Sequence, residues 1–204
     1  MTEHDTETLA SPAKIGTFVC VTGPSGAGKD TLIQLARVQL GSEQGFLFPR
    51  RLVTRPISTF EDHETLSLAQ FEAGVRNGLF ALHWRTHGLG YAIDGAIMPA
   101  IAAGTTVVCN VSRDSIAAAR KKFAHVKVVF ITAPEAMIAA RLGARGRDAA
   151  ADLSERLLRN ADYADYVMAD VSILNAGLPE AAAGELARFL IAVRAAQRRD
   201  HESE

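Results

Sequence analysis

The chain has 204 residues, 48% of them hydrophobic, which suits one compact domain with a substantial core. Its 22 basic and 23 acidic side chains give a formal net charge of −1, so no chain-wide positive field exists to hold a nucleic acid or an anionic membrane. No run of about 18 apolar residues occurs, and residues 1–14 carry acids without an apolar core, so we expect neither a membrane span nor a signal peptide. We expect a disordered tail at 1–14, a single domain over 15–195 and a charged tail at 196–204.

A glycine-rich loop follows the first predicted strand. The apolar run TFVCV at residues 17–21 leads into GPSGAGKDTL at residues 23–32, after which the leucines are spaced as in a helix. The loop fits the phosphate-binding pattern G-x-x-x-x-G-K-[ST] except at its last position, which is Asp30. Its N–H groups would converge on phosphate oxygens, and Lys29 would bridge the β- and γ-phosphates of a nucleotide such as ATP. The predicted nucleotide contacts in this segment are Gly23, Pro24, Ser25, Gly26, Ala27, Gly28, Lys29, Asp30 and Thr31.

The carboxylate of Asp30 poses a charge problem, because it would repel a triphosphate unless a cation lay between them. Loop proteins of this kind usually also place an Asp at the end of a core strand to support Mg²⁺, but here two such strands end in Asn110 and Thr132. We therefore predict that Asp30 is a direct or water-mediated magnesium ligand and that Thr31 supplies a hydroxyl one position late. Two alternatives stay open: Asp30 contacts the acceptor, or it only stabilises the helix N-terminus.

The sequence predicts an insertion from about residue 46 to residue 93, which separates the first helix from the second core strand. Arg51 and Arg55 are four positions apart, so on an extended segment both point to one face, where they suit bidentate capture of a phosphate. Solvated surface arginines are the alternative. The histidines of the insertion, His63 among them, lack metal-site spacing, and local hydrogen bonding is the expectation from spacing alone.

Three further apolar runs complete a parallel sheet. TTVVCN at 105–110, VKVVFIT at 126–132 and VSILN at 171–175 show little alternation, as expected for strands covered on both faces. Helical stretches separate them, so we predict a doubly wound α/β fold with helices flanking the sheet. Cys20 and Cys109 lie inside two of the predicted strands, which favours buried free thiols and a cytoplasmic location.

The segment RLGARGRDAAADLSERL at residues 141–157 has the composition of a mobile lid. Its arginines Arg145, Arg147 and Arg156 would close over a transferring phosphate and neutralise charge on its equatorial oxygens. An Arg/Asp cluster of this kind also suits a salt-bridged surface.

The order of these motifs resembles the guanylate kinase branch of P-loop nucleoside monophosphate kinases. GPSGAGK, the TR of LVTR, the RGR of the lid and the later Arg156 carry the resemblance. It implies an acceptor-binding insertion and an arginine-rich lid, with Arg55 on the acceptor phosphate, Arg145 and Arg156 on the transferring phosphate, and Asn175 near adenine. Apolar Leu79 stands where that branch has a guanine-binding glutamate, in a position we expect to be buried, so guanine is not the expected acceptor.

A sister family, the ribose 1,5-bisphosphate phosphokinases, is resembled over nearly the full length. The matching stretches are GPSGAGKD, RRLVTRPISTFEDHETLSLAQF, LHWRTHGLGYAI, VVCNVSR and LGARGRD. The resemblance implies transfer of the ATP γ-phosphoryl group, with Mg²⁺, to the 1-phosphate of ribose 1,5-bisphosphate, in phosphonate breakdown. An acceptor with two phosphates and no base requires several arginines and polar groups directed at the ribose, and two groups of side chains are candidates. The phosphate candidates are Arg50, Arg51, Arg55 and Arg113, and the ribose candidates are Glu61, Asp62 and His63.

The acidic run FEDHE fits an exposed turn equally well. Two other functions remain as alternatives: a guanylate kinase, and a non-catalytic guanylate-kinase-like interaction module. Retention of Lys29, Arg145 and Arg156 favours an enzyme over the module. As partners we expect the two small-molecule substrates and, at most, a second copy of the chain in a homodimer.

Overall fold

The computed structural model describes residues 15–56, 63–86, 88–144 and 168–202. The predicted α/β architecture is confirmed: a five-stranded sheet forms the centre, and every neighbouring pair of its strands is parallel. The strands of this core sheet lie in the order β2-β7-β1-β8-β9. With strands numbered in chain order, they are β1 (Thr17–Thr22), β2 (Phe46–Leu47), β7 (Thr106–Asn110), β8 (His125–Thr132) and β9 (Val171–Leu174).

Alternate residues of β1 face two separate apolar clusters, as the two-residue period of a strand requires. Val19 and Val21 pack against the first and last helices, α1 (Lys29–Leu40) and α6 (Pro179–Glu202). On the other face, Phe18 packs with residues of two shorter helices and of a second sheet. These shorter helices are α3 (Met98–Ala102) and α4 (Ile116–Lys122). No helix among the described residues is long and apolar enough to cross a membrane.

Cys20 and Cys109 are paired neighbours on β1 and β7, and both are free and buried, as predicted. Burial raises the pKa of the Cys20 thiol to about 12 and raises that of Cys109 as well. The thiols therefore stay protonated inside the fold and act as small apolar side chains.

A second, four-stranded sheet has the order β4-β3-β6-β5, with β3 parallel to β4 and the other pairs antiparallel. Its strands are β3 (Arg51–Val53), β4 (His63–Thr65), β5 (Phe80–Thr86) and β6 (Leu89–Asp94). We call it the acceptor sheet, after the acceptor-binding role expected of the insertion. Helix α2 (Leu68–Arg76) covers this sheet, and a reciprocal Ser67–Gln70 capping box begins the helix. The expected insertion thus forms a sheet of its own. At its expected start near residue 46, Phe46 and Leu47 form β2, which belongs to the core sheet.

The last helix corrects the predicted domain boundary at residue 195. Helix α6 continues to Glu202, and Gln197 is buried. Its Nε2 donates to the carbonyls of Ile15 and Gly104 at 2.9 Å each, and its Oε1 accepts from the hydroxyls of Thr17 and Thr106 at 3.4 Å. The segment therefore stabilises the starts of two core strands, which its charged composition did not indicate.

Candidate active site

The glycine loop connects β1 to α1 at the carboxyl edge of the core sheet, as predicted from the pattern. Gly23 and Gly28 have φ angles of 141° and 91°. A Cβ on Gly23 would collide with the carbonyl oxygen of Ile131, and one on Gly28 would lie 2.6 Å from Nδ2 of Asn175. Only glycine allows this loop to turn tightly at both places. The loop leads directly into the N-terminus of α1, where helix N–H groups can bind an anion.

Lys29 is the first residue of α1, and its ammonium group lies back across the loop. Nζ donates to the carbonyl oxygens of Gly23 and Pro24 at 2.8 Å each. The positive charge therefore lies above the loop turn, in reach of the position where the phosphates of a nucleotide bind such a loop.

Asp30 joins three elements of the fold. Its carboxylate accepts hydrogen bonds from Arg51 Nη2 at 3.2 Å (Oδ1) and 3.0 Å (Oδ2), and its Oδ1 also accepts from Asn110 Nδ2 at 2.8 Å. Arg51 begins β3 of the acceptor sheet, and Asn110 ends β7 of the core sheet. The side chains of Arg51 and Asp30 are only 10% and 24% exposed, so the ion pair is shielded from solvent.

This ion pair was not among the predictions from the sequence, which placed Arg51 at a phosphate of the acceptor and Asp30 at a magnesium ion. Arg51 and Arg55 also do not lie on one extended segment, since β3 ends at Val53 and Arg55 lies in the bend that follows. The assumption that both arginines point to one face of a strand is therefore wrong.

Asp30 meets part of what a magnesium site requires. Mg²⁺ takes oxygen ligands, commonly one or two carboxylates together with substrate phosphates and waters. Asp30 supplies one carboxylate beside the loop, although three hydrogen bonds already occupy its oxygens. Thr31 is exposed on the first turn of α1. Among the described residues, no group of three or more His, Cys, Asp or Glu side chains could hold a metal by itself. Asp30 and Thr31 therefore fit a Mg²⁺ ion that takes most of its ligands from nucleotide phosphates and water.

Two side chains hold the back of the loop. Asn175, directly after β9, donates from Nδ2 to the carbonyl of Ala27 at 2.8 Å, and its buried Oδ1 has no hydrogen-bond partner. Arg141, on α5 (Glu135–Ala144), donates from Nη1 to the carbonyls of Gly26 and Ala27 at 3.2 and 3.4 Å. Arg141 is the first residue of the predicted lid segment at 141–157, but no role of its own was predicted for it; the structure places it on α5, where it contacts the loop.

The remaining acceptor candidates lie at different depths. Arg55 is half-buried, and its carbonyl accepts from Thr65 Oγ1 at 2.9 Å. His63 is fully buried, with Nε2 3.2 Å from the carbonyl of Pro56, so a contact with ribose would require its ring to become exposed. Arg113 lies in the turn after β7, with Nε 3.7 Å from a carboxylate oxygen of Asp114. The predicted residues Glu61, Asp62, Arg145, Arg147 and Arg156 lie outside the described residues.

Comparison with known proteins identifies the family. No protein-family model matches the chain. The chain is 49% identical over 175 residues to the ribose 1,5-bisphosphate phosphokinase PhnN of Methylobacterium radiotolerans, which covers 86% of this chain and 97% of the relative. It is 46% identical over 175 residues to the protein of the same name from Bradyrhizobium diazoefficiens, covering 86% of this chain and 88% of the relative. The chain belongs to the ribose 1,5-bisphosphate phosphokinase family.

In fold, this family member resembles the crystal structure of guanylate kinase from Anaplasma phagocytophilum. The TM-score is 0.67 at 16% identity, and the match covers 89% of this chain and 88% of that chain. The likeness confirms the predicted guanylate-kinase-like fold.

Leu79, which replaces the guanine-binding glutamate of guanylate kinases in the sequence comparison, is 58% exposed. Its expected burial is therefore wrong, because it lies in the turn between α2 and β5. Its side chain still offers no hydrogen-bond acceptor to a base.

Proposed function

We propose that this protein transfers the γ-phosphoryl group of ATP to the 1-phosphate of ribose 1,5-bisphosphate, giving 5-phospho-α-D-ribose 1-diphosphate and ADP. The observation that carries the proposal is the match over nearly the whole length of relatives named for this activity. Two buried free thiols fit a reducing compartment, so the proposed location is the cytoplasm.

The proposed donor site is the glycine loop. Its backbone N–H groups at the start of α1 would hold the β-phosphate, and Lys29 would exchange the carbonyls of Gly23 and Pro24 for phosphate oxygens. Asn175, behind the loop, would lie towards adenine. Asp30 would hold Mg²⁺ together with the phosphates, and Thr31 would contribute through water. The bound ion would supply charge neutralisation on the β- and γ-phosphates.

The proposed acceptor site lies between the loop and the acceptor sheet. Arg51 begins β3, Arg55 lies in the bend after β3, and Arg113 lies in the turn after β7. Together they would supply positive charge for two phosphates. Glu61 and His63 are proposed for the ribose hydroxyls. An acceptor with two phosphates and no base fits this set better than a nucleotide does, because apolar Leu79 offers no acceptor atom for guanine.

The chemical step is an in-line displacement. An oxygen of the 1-phosphate forms a bond to the γ-phosphorus, the bond from that phosphorus to the β,γ-bridging oxygen breaks, and ADP leaves with the electron pair. A phosphate acceptor is largely ionised at neutral pH, its second pKa being about 6, so no catalytic base is needed. Catalysis then consists of positioning and charge stabilisation, by Lys29 and by the proposed lid arginines Arg145 and Arg156.

A product assay tests the proposal. The purified protein is incubated with ATP, magnesium and either ribose 1,5-bisphosphate or GMP, and phosphorus NMR follows the products. We expect a diphosphate signal from the sugar and none from GMP. Turnover of GMP alone would make the protein a guanylate kinase. Failure to bind ATP by calorimetry would instead support the interaction module.

A further inference from the structure

The ion pair of Asp30 and Arg51 connects the two halves of the proposed site. Asp30 lies one residue after Lys29, at the start of α1 beside the proposed donor site, whereas Arg51 begins β3 of the acceptor sheet. We infer that this pair is exchangeable and that it couples donor binding to acceptor binding, with a sign that depends on magnesium. The inference rests on the proposed function.

Arg51 borders an open cleft in addition to its contact with Asp30. Its side chain lines a small cleft of about 40 Å³ between α1 and the segment before β3, together with Asp30, Asn110 and Arg50. A phosphate at the top of this cleft would offer the guanidinium two oxygens, as the carboxylate of Asp30 does now. The acceptor thus competes with Asp30 for Arg51.

Withdrawal of Arg51 changes the charge beside the loop. The carboxylate of Asp30 then loses the guanidinium with which it is paired, beside the proposed position of the donor phosphates. Without magnesium, the unpaired carboxylate repels those phosphates, so donor and acceptor oppose each other. With magnesium, the released carboxylate gains a cation, so each substrate favours the other.

Asn110 completes the arrangement. Its amide donates to Oδ1 of Asp30 at 2.8 Å and holds the carboxylate in place while adding no charge. The amide therefore keeps Asp30 oriented whether or not Arg51 is paired with it. An aspartate at position 110 would face Asp30 with a like charge, which explains why an amide suits the end of this strand. Asn110 is a positioning residue in this scheme.

Calorimetry measures the coupling without turnover. The affinity for ribose 1,5-bisphosphate is determined alone and with the non-hydrolysable β,γ-imido analogue of ATP, in magnesium and again in EDTA. In the wild-type protein we expect the analogue to tighten acceptor binding about fivefold or more in magnesium and to weaken it at least about twofold in EDTA. This reversal of sign requires no variant, so it does not depend on whether a substitution folds.

Two variants assign the effect to the pair. In Asp30→Asn and in Arg51→Gln we expect the analogue to change acceptor affinity by less than about twofold in either condition. The matched control is an exposed ion pair, in which Arg85 on β5 lies 3.2 Å from Glu72 on α2. Arg85→Gln should leave the coupling unchanged both in magnesium and in EDTA. Circular dichroism confirms that each variant is folded.

The possible failures are distinguishable. If ribose 1,5-bisphosphate does not bind the wild-type protein under any condition, the proposed function is wrong, and this inference with it. If it binds and the coupling has the same sign in magnesium and in EDTA, or if a folded Asp30→Asn variant keeps the wild-type couplings, only the inference is wrong.

Discussion

At the scale of single residues, the shape of the phosphate loop follows from its local pattern. Lys29 contacts carbonyls only five and six residues before it, and Gly23 and Gly28 have the positive φ angles that the glycines of G-x-x-x-x-G-K allow. The partner of Asp30 is Arg51, which stands on another sheet. No local pattern connects positions 30 and 51, because it is the packing of the two sheets that brings them together.

Lys29→Ala tests the donor assignment. Loss of the ammonium group removes a positive charge expected to act on the transferring phosphate, so kcat should fall by about 100-fold to 1,000-fold or more. Steady-state kinetics with ATP and ribose 1,5-bisphosphate measure the change. Lys121→Ala, on the exposed face of α4, is the control and should keep wild-type kcat. Near-normal turnover of Lys29→Ala would contradict the site assignment.

At the scale of elements, apolar runs and their spacing predicted four of the five core strands and the first and last helices. The two-residue strand β2 was missed, because so short a run carries no periodicity. The end of α6 was placed too early, since the charged stretch after residue 195 has the composition of a tail. The contacts of Gln197 with β1 and β7 keep that stretch in the domain.

Gln197→Ala tests the role of this end of α6. The substitution removes the hydrogen-bond donor to the carbonyls of Ile15 and Gly104, which lie just before β1 and β7, and the acceptor for two threonine hydroxyls. The free energy of unfolding should therefore fall by about 2 kcal/mol. Guanidinium chloride denaturation measures it, and kcat should not change. Gln39→Ala is the control, because exposed Gln39 makes one bond to the carbonyl of Glu180 and should cost less than about 0.5 kcal/mol. Equal losses in the two variants would refute the role given to Gln197.

At the scale of the whole molecule, the core sheet separates two apolar clusters, one of which contains both cysteines. Burial raises the pKa of both thiols from an ordinary value of 9.0, to about 12 for Cys20. In the unfolded chain they ionise near pH 9, whereas in the fold they stay protonated. Their contribution to stability is therefore complete below pH 9 and is lost as the pH rises towards 12.

The double variant Cys20→Ala/Cys109→Ala tests this pH dependence. Between about pH 8.5 and about pH 10.5, the wild-type free energy of unfolding should fall more than that of the variant, by about 2 kcal/mol for Cys20. Denaturation curves at the two pH values measure how far the free energy of unfolding falls in each protein. Because each protein is compared with itself, this change does not depend on the cavity that alanine leaves. Parallel pH profiles would show that the thiols ionise equally in both states.

The sequence by itself determined the α/β class, the phosphate loop and the family, because these depend on short-range spacing and on stretches that can be matched one by one. Only the tertiary structure decided that Arg51 neutralises Asp30, that His63 is buried and that Gln197 binds two strand ends. Each of these contacts joins residues whose separation along the chain carries no periodic signal. Their partners are set by how the two sheets and the last helix pack, and that packing follows from burial of the whole apolar surface.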